Sequence, residues 1–205
     1  TRNVRVKART KSGSLWSALT EAVFIAGRPS LRVTELMYHP PAPPVGSPFL
    51  AEDFEFIEMA NIGTTTLPVR TFAFTKGIQY DLSNSLVQLA PQQCLVIAKN
   101  PAAFVTRYDT SSYVVVGGYA QSLDNSGEQI AFDDALYSTV QDFAYIDTWY
   151  PETDGGGYSL TIKNVSGPVD LWNTQEGWRG SFLQLGTPGY IEVPEPACLL
   201  FLLAA

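Results

Sequence analysis

The sequence has few of the residues on which catalytic and metal sites usually depend. Its 205 residues include one histidine, His39, and two cysteines, Cys94 and Cys198. His39 precedes a run of prolines, a position more typical of an exposed strand end than of a general base held by a triad. The cysteines form no C-x-x-C pair and no Gly-x-Ser-x-Gly motif occurs, so neither a zinc or redox centre nor a serine hydrolase is favoured.

Charged residues are also scarce, at 16% of the chain, and they are unevenly distributed. Residues 1–28 hold six Lys or Arg against one Glu, a net charge of +5, whereas residues 29–205 hold seven against nineteen Asp or Glu, a net charge of −12. A body of that sign repels phosphates and anionic membranes. We therefore expect no nucleic-acid partner, and a body that attracts divalent cations or basic partners.

Helical periodicity is almost missing, and turn-forming residues are abundant, with 14 Pro and 16 Gly. Turn signals recur at intervals of roughly 8 to 12 residues, which predicts an all-β sandwich or barrel rather than βαβ units. One helix is expected near 100–108, where Asn100 can cap the helix and Pro101 suits its first turn.

The chain divides into four predicted parts. In residues 1–27, Val4, Val6 and Ala8 alternate with basic residues as in a half-buried strand, and a second strand-like run ends the segment. This segment resembles the last two strands of fibronectin type III-like or chitobiase-type modules, which implies the C-terminal hairpin of a preceding β-sandwich. The chain is then expected to be a fragment of a longer protein. Residues 28–30 are the predicted linker, 31–190 the main domain and 191–205 a separate tail.

Seven segments of the main domain, taken in order, resemble the lamin-tail domain of exported bacterial proteins. They are LRVTELMYHPP, EFIEMANIG, RTFAFTKGIQYDL, LAPQQCLVIAKNPAAF, SLDNSGEQIAF, DGGGYSL and WRGSFLQLGTPG. The resemblance covers residues 31–189 and implies an immunoglobulin-like β-sandwich. The chain departs from the family's pattern at Phe72, where a Trp is usual, and after Phe132, where the turn lacks its usual Gly.

The C-terminal sequence resembles the beginning of a PEP-CTERM sorting signal. Val193, Pro194, Glu195 and Pro196 supply its motif, and the apolar run 197–205 follows. The resemblance implies an exported protein that is extracellular or attached to the cell surface. Because spanning a bilayer takes about 20 apolar residues, we expect no stable membrane span in this sequence.

Two carboxylates occupy positions where apolar residues are expected. Strict alternation places Glu35 on a face with Leu31, Val33 and Met37, and Glu58 on a face with Phe54, Phe56 and Ala60. Buried carboxylates need partners. Hydrogen-bond donors of the protein can supply them, which is the favoured interpretation. Alternatively, Glu35, Asp53, Glu55 and Glu58 share a Ca²⁺ ion, which takes 6–8 oxygen ligands.

Aromatic residues offer a second candidate site. Trp149 and Tyr150 lie in a loop-like stretch, where they either form a patch that binds glycans or proteins, or cap the end of the sandwich.

With no catalytic constellation, the sequence favours a non-catalytic structural or binding module with a protein or polysaccharide partner at the cell surface. The alternatives are a Ca²⁺-dependent adhesion or glycan-binding domain and, less favoured, a hydrolase using Glu35 and Glu58.

Overall fold

A computed structural model describes residues 4–24, 29–136 and 138–192. The described chain is built mainly of β-strands with one α-helix, which confirms the predicted all-β class. The strands are β1 (Val4–Ala8), β2 (Lys11–Ser12), β3 (Leu15–Trp16), β4 (Thr20–Phe24), β5 (Leu31–Met37), β6 (Phe56–Asn61), β7 (Leu67–Pro68), β8 (Phe72–Lys76), β9 (Gln88–Leu89), β10 (Cys94–Ala98), β11 (Val114–Gly117), β12 (Gln129–Asp134), β13 (Thr139–Ala144), β14 (Leu160–Ile162) and β15 (Trp178–Gly180). The helix, α1, is Pro101–Arg107.

Short 3₁₀ helices link several strands. They are Ala51–Phe54, Val69–Thr71, Asp147–Trp149, Pro151–Thr153, Val169–Asn173 and Gln175–Gly177. Helix α1 begins as predicted, because the Asn100 side chain accepts the backbone N–H groups of Ala102 and Ala103 at 3.1 and 3.3 Å. None of the described helices is long and apolar enough to cross a membrane.

Two sheets make up most of the main domain. One has six strands in the order β11-β10-β6-β5-β14-β15, and the other has three in the order β13-β12-β8. Strands β10 and β11 are parallel and are joined by α1, so the described chain holds one parallel pairing that the turn pattern did not predict. The central strands β6 and β10 are buried along their whole length.

Both sheets contribute to one main core cluster. The six-stranded sheet supplies Val33 and Ile57 among others, and the three-stranded sheet supplies Phe132 and Phe143. A second, smaller cluster consists of Met37, Phe56, Val96, Ala98 and Phe104. Because Phe56 and Ile57 are neighbours on one strand and belong to different clusters, the six-stranded sheet is covered by apolar side chains on both faces.

Several predicted strands differ from the observed ones. The alternation of Ile78, Tyr80 and Leu82 predicts a strand over residues 78–82, but these residues form only an isolated bridge, which joins Ala73 and Asp81. The composition of residues 69–75 predicts a strand that starts at Val69, but the observed strand begins at Phe72, because a 3₁₀ helix occupies Val69–Thr71. Strand β15 was not anticipated, since its three residues carry too short a pattern.

Residues 4–24 form an antiparallel hairpin, and its assignment to the end of a preceding β-sandwich stays a prediction. Strands β1 and β4 pair in antiparallel register, with Val4 opposite Phe24 and Val6 opposite Ala22. Every residue of 4–24 is exposed except Arg5, which is half-buried. The sorting motif Val193–Pro196, and Arg28 of the predicted linker, lie outside the described residues.

Candidate functional site

A β-bulge in β5 determines which way Glu35 points. The register between β5 and β6 shifts between Val33 and Glu35, so that Val33 pairs with Met59 and Glu35 pairs with Glu58. The extra residue, Thr34, therefore lies with Glu35 opposite a single residue of β6. The prediction that Glu35 shares a face with Leu31 and Val33 was wrong, because those two side chains enter the main core cluster and the bulge reverses the alternation after them.

Glu35 is 1% exposed and accepts hydrogen bonds from two elements. Its Oε1 accepts the Ser159 hydroxyl at 2.5 Å and the backbone N–H of Thr187 at 2.8 Å. The Thr187 hydroxyl approaches Oε2 at 3.4 Å. Burial raises the pKa of Glu35 to about 7, although the hydrogen bonds act in the opposite direction.

Glu58 is fully buried beside it. Its Oε1 accepts the Thr34 hydroxyl at 2.5 Å, and its Oε2 accepts the backbone N–H of Gly189. The pKa of Glu58 lies well above its ordinary value, first because of burial and second because of the neighbouring charge of Glu35. The buried thiol of Cys94 also contacts this carboxyl group. Such a pair holds a proton at neutral pH more readily than two separate carboxylates would.

The segment that closes over these two acids is residues 181–192, here called the strap. The Leu185 carbonyl accepts the Tyr108 hydroxyl at 2.8 Å. Glu192 accepts the Thr187 hydroxyl at 2.7 Å and the Phe182 N–H at 3.0 Å, and it pairs with Arg179 at 2.9 Å. Glu35 and Glu58 thus accept hydrogen bonds from backbone N–H groups of the strap and fasten it to the six-stranded sheet.

Glycines permit this close approach. Gly186 and Gly189 adopt φ values of +83° and +91°. A Cβ on Gly186 would overlap Glu35 Oε1, and a Cβ on Gly189 would overlap the ring of Tyr113. The strap therefore needs glycine at both positions, for its backbone conformation and for space.

Asp53 and Glu55, the other two predicted calcium ligands, have different partners. Glu55 is buried, accepts the Leu123 N–H at 2.8 Å and lies 3.6 Å from the Lys99 ammonium. Burial raises the pKa of Glu55 to about 7. Asp53 accepts the Leu50 N–H at 2.8 Å and the Asn100 amide at 3.2 Å.

The structure therefore brings together only Glu35 and Glu58 of the four. Within residues 4–24, 29–136 and 138–192, no three His, Cys, Asp or Glu side chains are grouped to hold a metal ion. Calcium binding stays a prediction.

The aromatic candidates Trp149 and Tyr150 are both half-buried and pack against the main core cluster. The Tyr150 hydroxyl donates to the Gln175 carbonyl at 3.0 Å, and the Gln175 amide donates to the Trp149 carbonyl at 2.6 Å. This geometry fits the capping interpretation better than an open patch.

His39 has a partner that sequence reasoning missed. Its Nδ1 lies 2.6 Å from Oδ1 of Asp154, and both side chains are more than one-third exposed. The sequence separation of 115 residues left no local signal for this contact. The pair lies at the surface, as the position beside the prolines predicts.

A groove of about 720 Å³ runs beside the strap. Its walls include Pro43, Pro44, Phe49 and Phe54, and the Arg107 guanidinium stacks 3.5 Å from the centre of the Phe54 ring.

Comparison of the chain with protein-family models, with curated proteins and with solved structures gives no match.

Proposed function

We propose that this chain is a non-catalytic structural and binding module of an exported bacterial cell-surface or extracellular protein, with an immunoglobulin-like sandwich of the lamin-tail type. The ordered resemblance over residues 31–189 and the two sheets that share one core cluster support this fold. The motif at Val193–Pro196 supports export.

The observation that carries the proposal is the use of the buried acid pair. Glycosidases place two carboxyl groups where a substrate can reach both. Here Glu35 and Glu58 are 1% and 0% exposed, and their oxygens accept hydrogen bonds from Ser159, Thr34 and the strap backbone. In this proposal the two carboxyl groups act as hydrogen-bond acceptors that stabilise the fold.

The hairpin supports a docking role. In the β1–β4 register, Val4, Val6, Ala22 and Phe24 share one face, while Lys7 and Glu21 form an ion pair on the other at 2.9 Å. Val4, Val6 and Phe24 are 41, 45 and 61% exposed. A two-stranded ribbon with an uncovered apolar face is marginal alone, so a neighbouring β-sheet module is the partner that this face fits.

The experiment measures turnover and thermal stability in the same set of proteins. Wild type, Glu58→Gln and Glu58→Ala are assayed on a panel of polysaccharides and melted by calorimetry, with Glu176→Ala as an exposed control. We expect no turnover in any protein and a lowered Tm for Glu58→Ala alone. Turnover by the wild type that Glu58→Gln abolishes without unfolding would replace this proposal with the hydrolase.

Binding is tested with glycan arrays and pull-downs at extracellular ionic strength. The variant Val6→Ser/Phe24→Ser should lose the partner, whereas Leu86→Ser should keep it, because Leu86 is 86% exposed on the main domain. A partner retained equally by both variants would show that the hairpin face is not the docking surface.

A further inference from the structure

The tip of the hairpin, residues 9–19, combines exposed apolar side chains with two cations. Leu15, Trp16 and Leu19 are 76, 52 and 53% exposed. The Arg9 guanidinium lies 4.3 Å and the Lys11 ammonium 5.2 Å from the Trp16 ring centre. The only acidic residue of 4–24, Glu21, is paired with Lys7 on the β1–β4 ribbon. The tip is therefore basic and apolar at once.

These side chains have little reason to be exposed if the tip always faces water. Burying a leucine or a larger apolar side chain stabilises a protein by roughly 1.5–3 kcal/mol. The eleven residues 9–19 contain three such side chains, Leu15, Trp16 and Leu19. Within the described residues, the tip strands β2 and β3 pair only with each other. A partner that removes the leucines from water and carries negative charge would therefore bind this surface favourably.

We propose that the hairpin tip binds the surface of an anionic lipid bilayer. Tryptophan favours the headgroup region of membranes, leucines enter the acyl boundary, and Lys or Arg residues are attracted by anionic headgroups. An anionic polymer such as a polysaccharide would engage Arg9 and Lys11 and would leave Leu15 and Leu19 in water. The leucines thus favour lipid as the occupant.

The negative main domain does not oppose this contact strongly. Along the first hairpin arm, Arg9 and Lys11 lie five and seven residues from Val4, which is about 17 and 23 Å at roughly 3.3 Å per residue. These lengths are two to three times the screening distance of about 8 Å at physiological ionic strength. Residues 29–205, which carry the net charge of −12, follow β4 in the sequence, at the end of the hairpin farthest from its tip, and salt weakens repulsion over such distances.

The experiment measures partitioning of the full chain into phosphatidylcholine vesicles with and without 30% phosphatidylglycerol by co-sedimentation. We expect binding to the anionic vesicles that weakens with salt. Tryptophan emission should shift to the blue, because Trp16 is exposed, whereas Trp172 and Trp178 are already buried and Trp149 is half-buried against the main core cluster. The apolar tail 197–205 has no Lys or Arg, so anionic lipid should not strengthen any binding through it.

Variants separate the tip from the rest of the chain. Arg9→Gln/Lys11→Gln should weaken anionic-vesicle binding roughly 30-fold, and Leu15→Ser/Trp16→Ser should abolish the fluorescence shift. The matched controls Arg70→Gln and Leu86→Ser alter an exposed cation and an exposed leucine of the main domain, and should bind like wild type. Equal partitioning into neutral and anionic vesicles, or unchanged binding in the tip variants, would overturn the proposal. So would tip-dependent binding to heparin without any to vesicles.

Discussion

The hairpin and the main domain are built from the same kind of sequence, yet they reach different levels of burial. Both contain short antiparallel strands with apolar residues at alternate positions. In the main domain a second layer covers those residues, and β6 and β10 are buried throughout. Of the described hairpin residues, 4–24, none is buried. Where no bulge interrupts a strand, as one does in β5, alternation therefore specifies which side chains share a face, whereas burial depends on whether another element covers that face.

Replacing a tryptophan in each region should give the largest difference in the free energy of unfolding. Trp172 is fully buried and donates its indole N–H to the Val33 carbonyl at 2.9 Å, so Trp172→Ala should lower the free energy of unfolding by roughly 4–5 kcal/mol. Trp16→Ala should change it by no more than about 0.5 kcal/mol. Urea denaturation followed by circular dichroism measures both. Equal losses would mean that the hairpin packs into the cooperative core.

Two glutamates sharpen the same comparison. Glu58→Ala leaves the buried Thr34 hydroxyl and the partly buried Gly189 N–H without an acceptor, and we expect a loss of free energy of unfolding of roughly 3–4 kcal/mol. Glu21→Ala breaks only the exposed ion pair with Lys7, so its effect should be under about 1 kcal/mol. Glu58→Gln is the control that keeps one acceptor and the side-chain volume. If Glu58→Ala proves as stable as wild type, the acid pair does not hold the strap.

The stability of the main domain should fall as the pH rises. The pKa values of Glu35 and Glu55 are raised by burial from 4.5 to about 7, so the folded state keeps protons that the unfolded state has released. The resulting stabilisation is complete below pH 4.5 and is lost as the pH rises through 7, by at most about 3 kcal/mol for each group. Urea titrations between pH 4.5 and 9 measure the slope. Glu35→Gln and Glu55→Gln should each flatten it, and a stability that increases with pH would contradict the assignment.

Replacing a glycine in each region should give the smallest difference in stability. Gly186→Ala forces a Cβ against Glu35 in a left-handed backbone and should cost roughly 2 kcal/mol. Gly13 also has a positive φ, of +60°, but a Cβ there meets nothing within 4 Å. Gly13→Ala should therefore cost about 1 kcal/mol of local strain that barely alters unfolding of the main domain. Thermal melting of both variants checks the difference, and a larger loss from Gly13→Ala would contradict it.

Much of the fold could be predicted because its signals are local. Asn100 and Pro101 predict the start of α1, and the alternation of Val4 and Val6 predicts β1. The five apolar residues of β10 likewise indicate a buried strand. By contrast, β15 is only three residues long, and residues 78–82 carry a strand-like composition without a ladder partner.

The acid pair could be predicted only in part. Two carboxylates at apolar positions indicate that each needs partners, and hydrogen-bond donors of the protein, whether backbone N–H groups, Arg or Tyr, were the favoured solution. The identity of the donors was out of reach, because Thr187 and Gly189 lie 152 and 131 residues away from the carboxyls they contact. The bulge at Thr34 was also missed, since an extra residue leaves no mark in an alternating pattern until the partner strand is known.

Residue-resolved hydrogen exchange at pH 6 tests the central claim most directly, because it reports each backbone N–H separately. We expect the amides of Thr187 and Gly189 to be protected nearly as well as those of β6 and β10, and the amides of β1 and β4 to exchange much sooner. Strap amides that exchange as fast as those of the hairpin would contradict the claim that two buried carboxyl groups fasten this segment to the core.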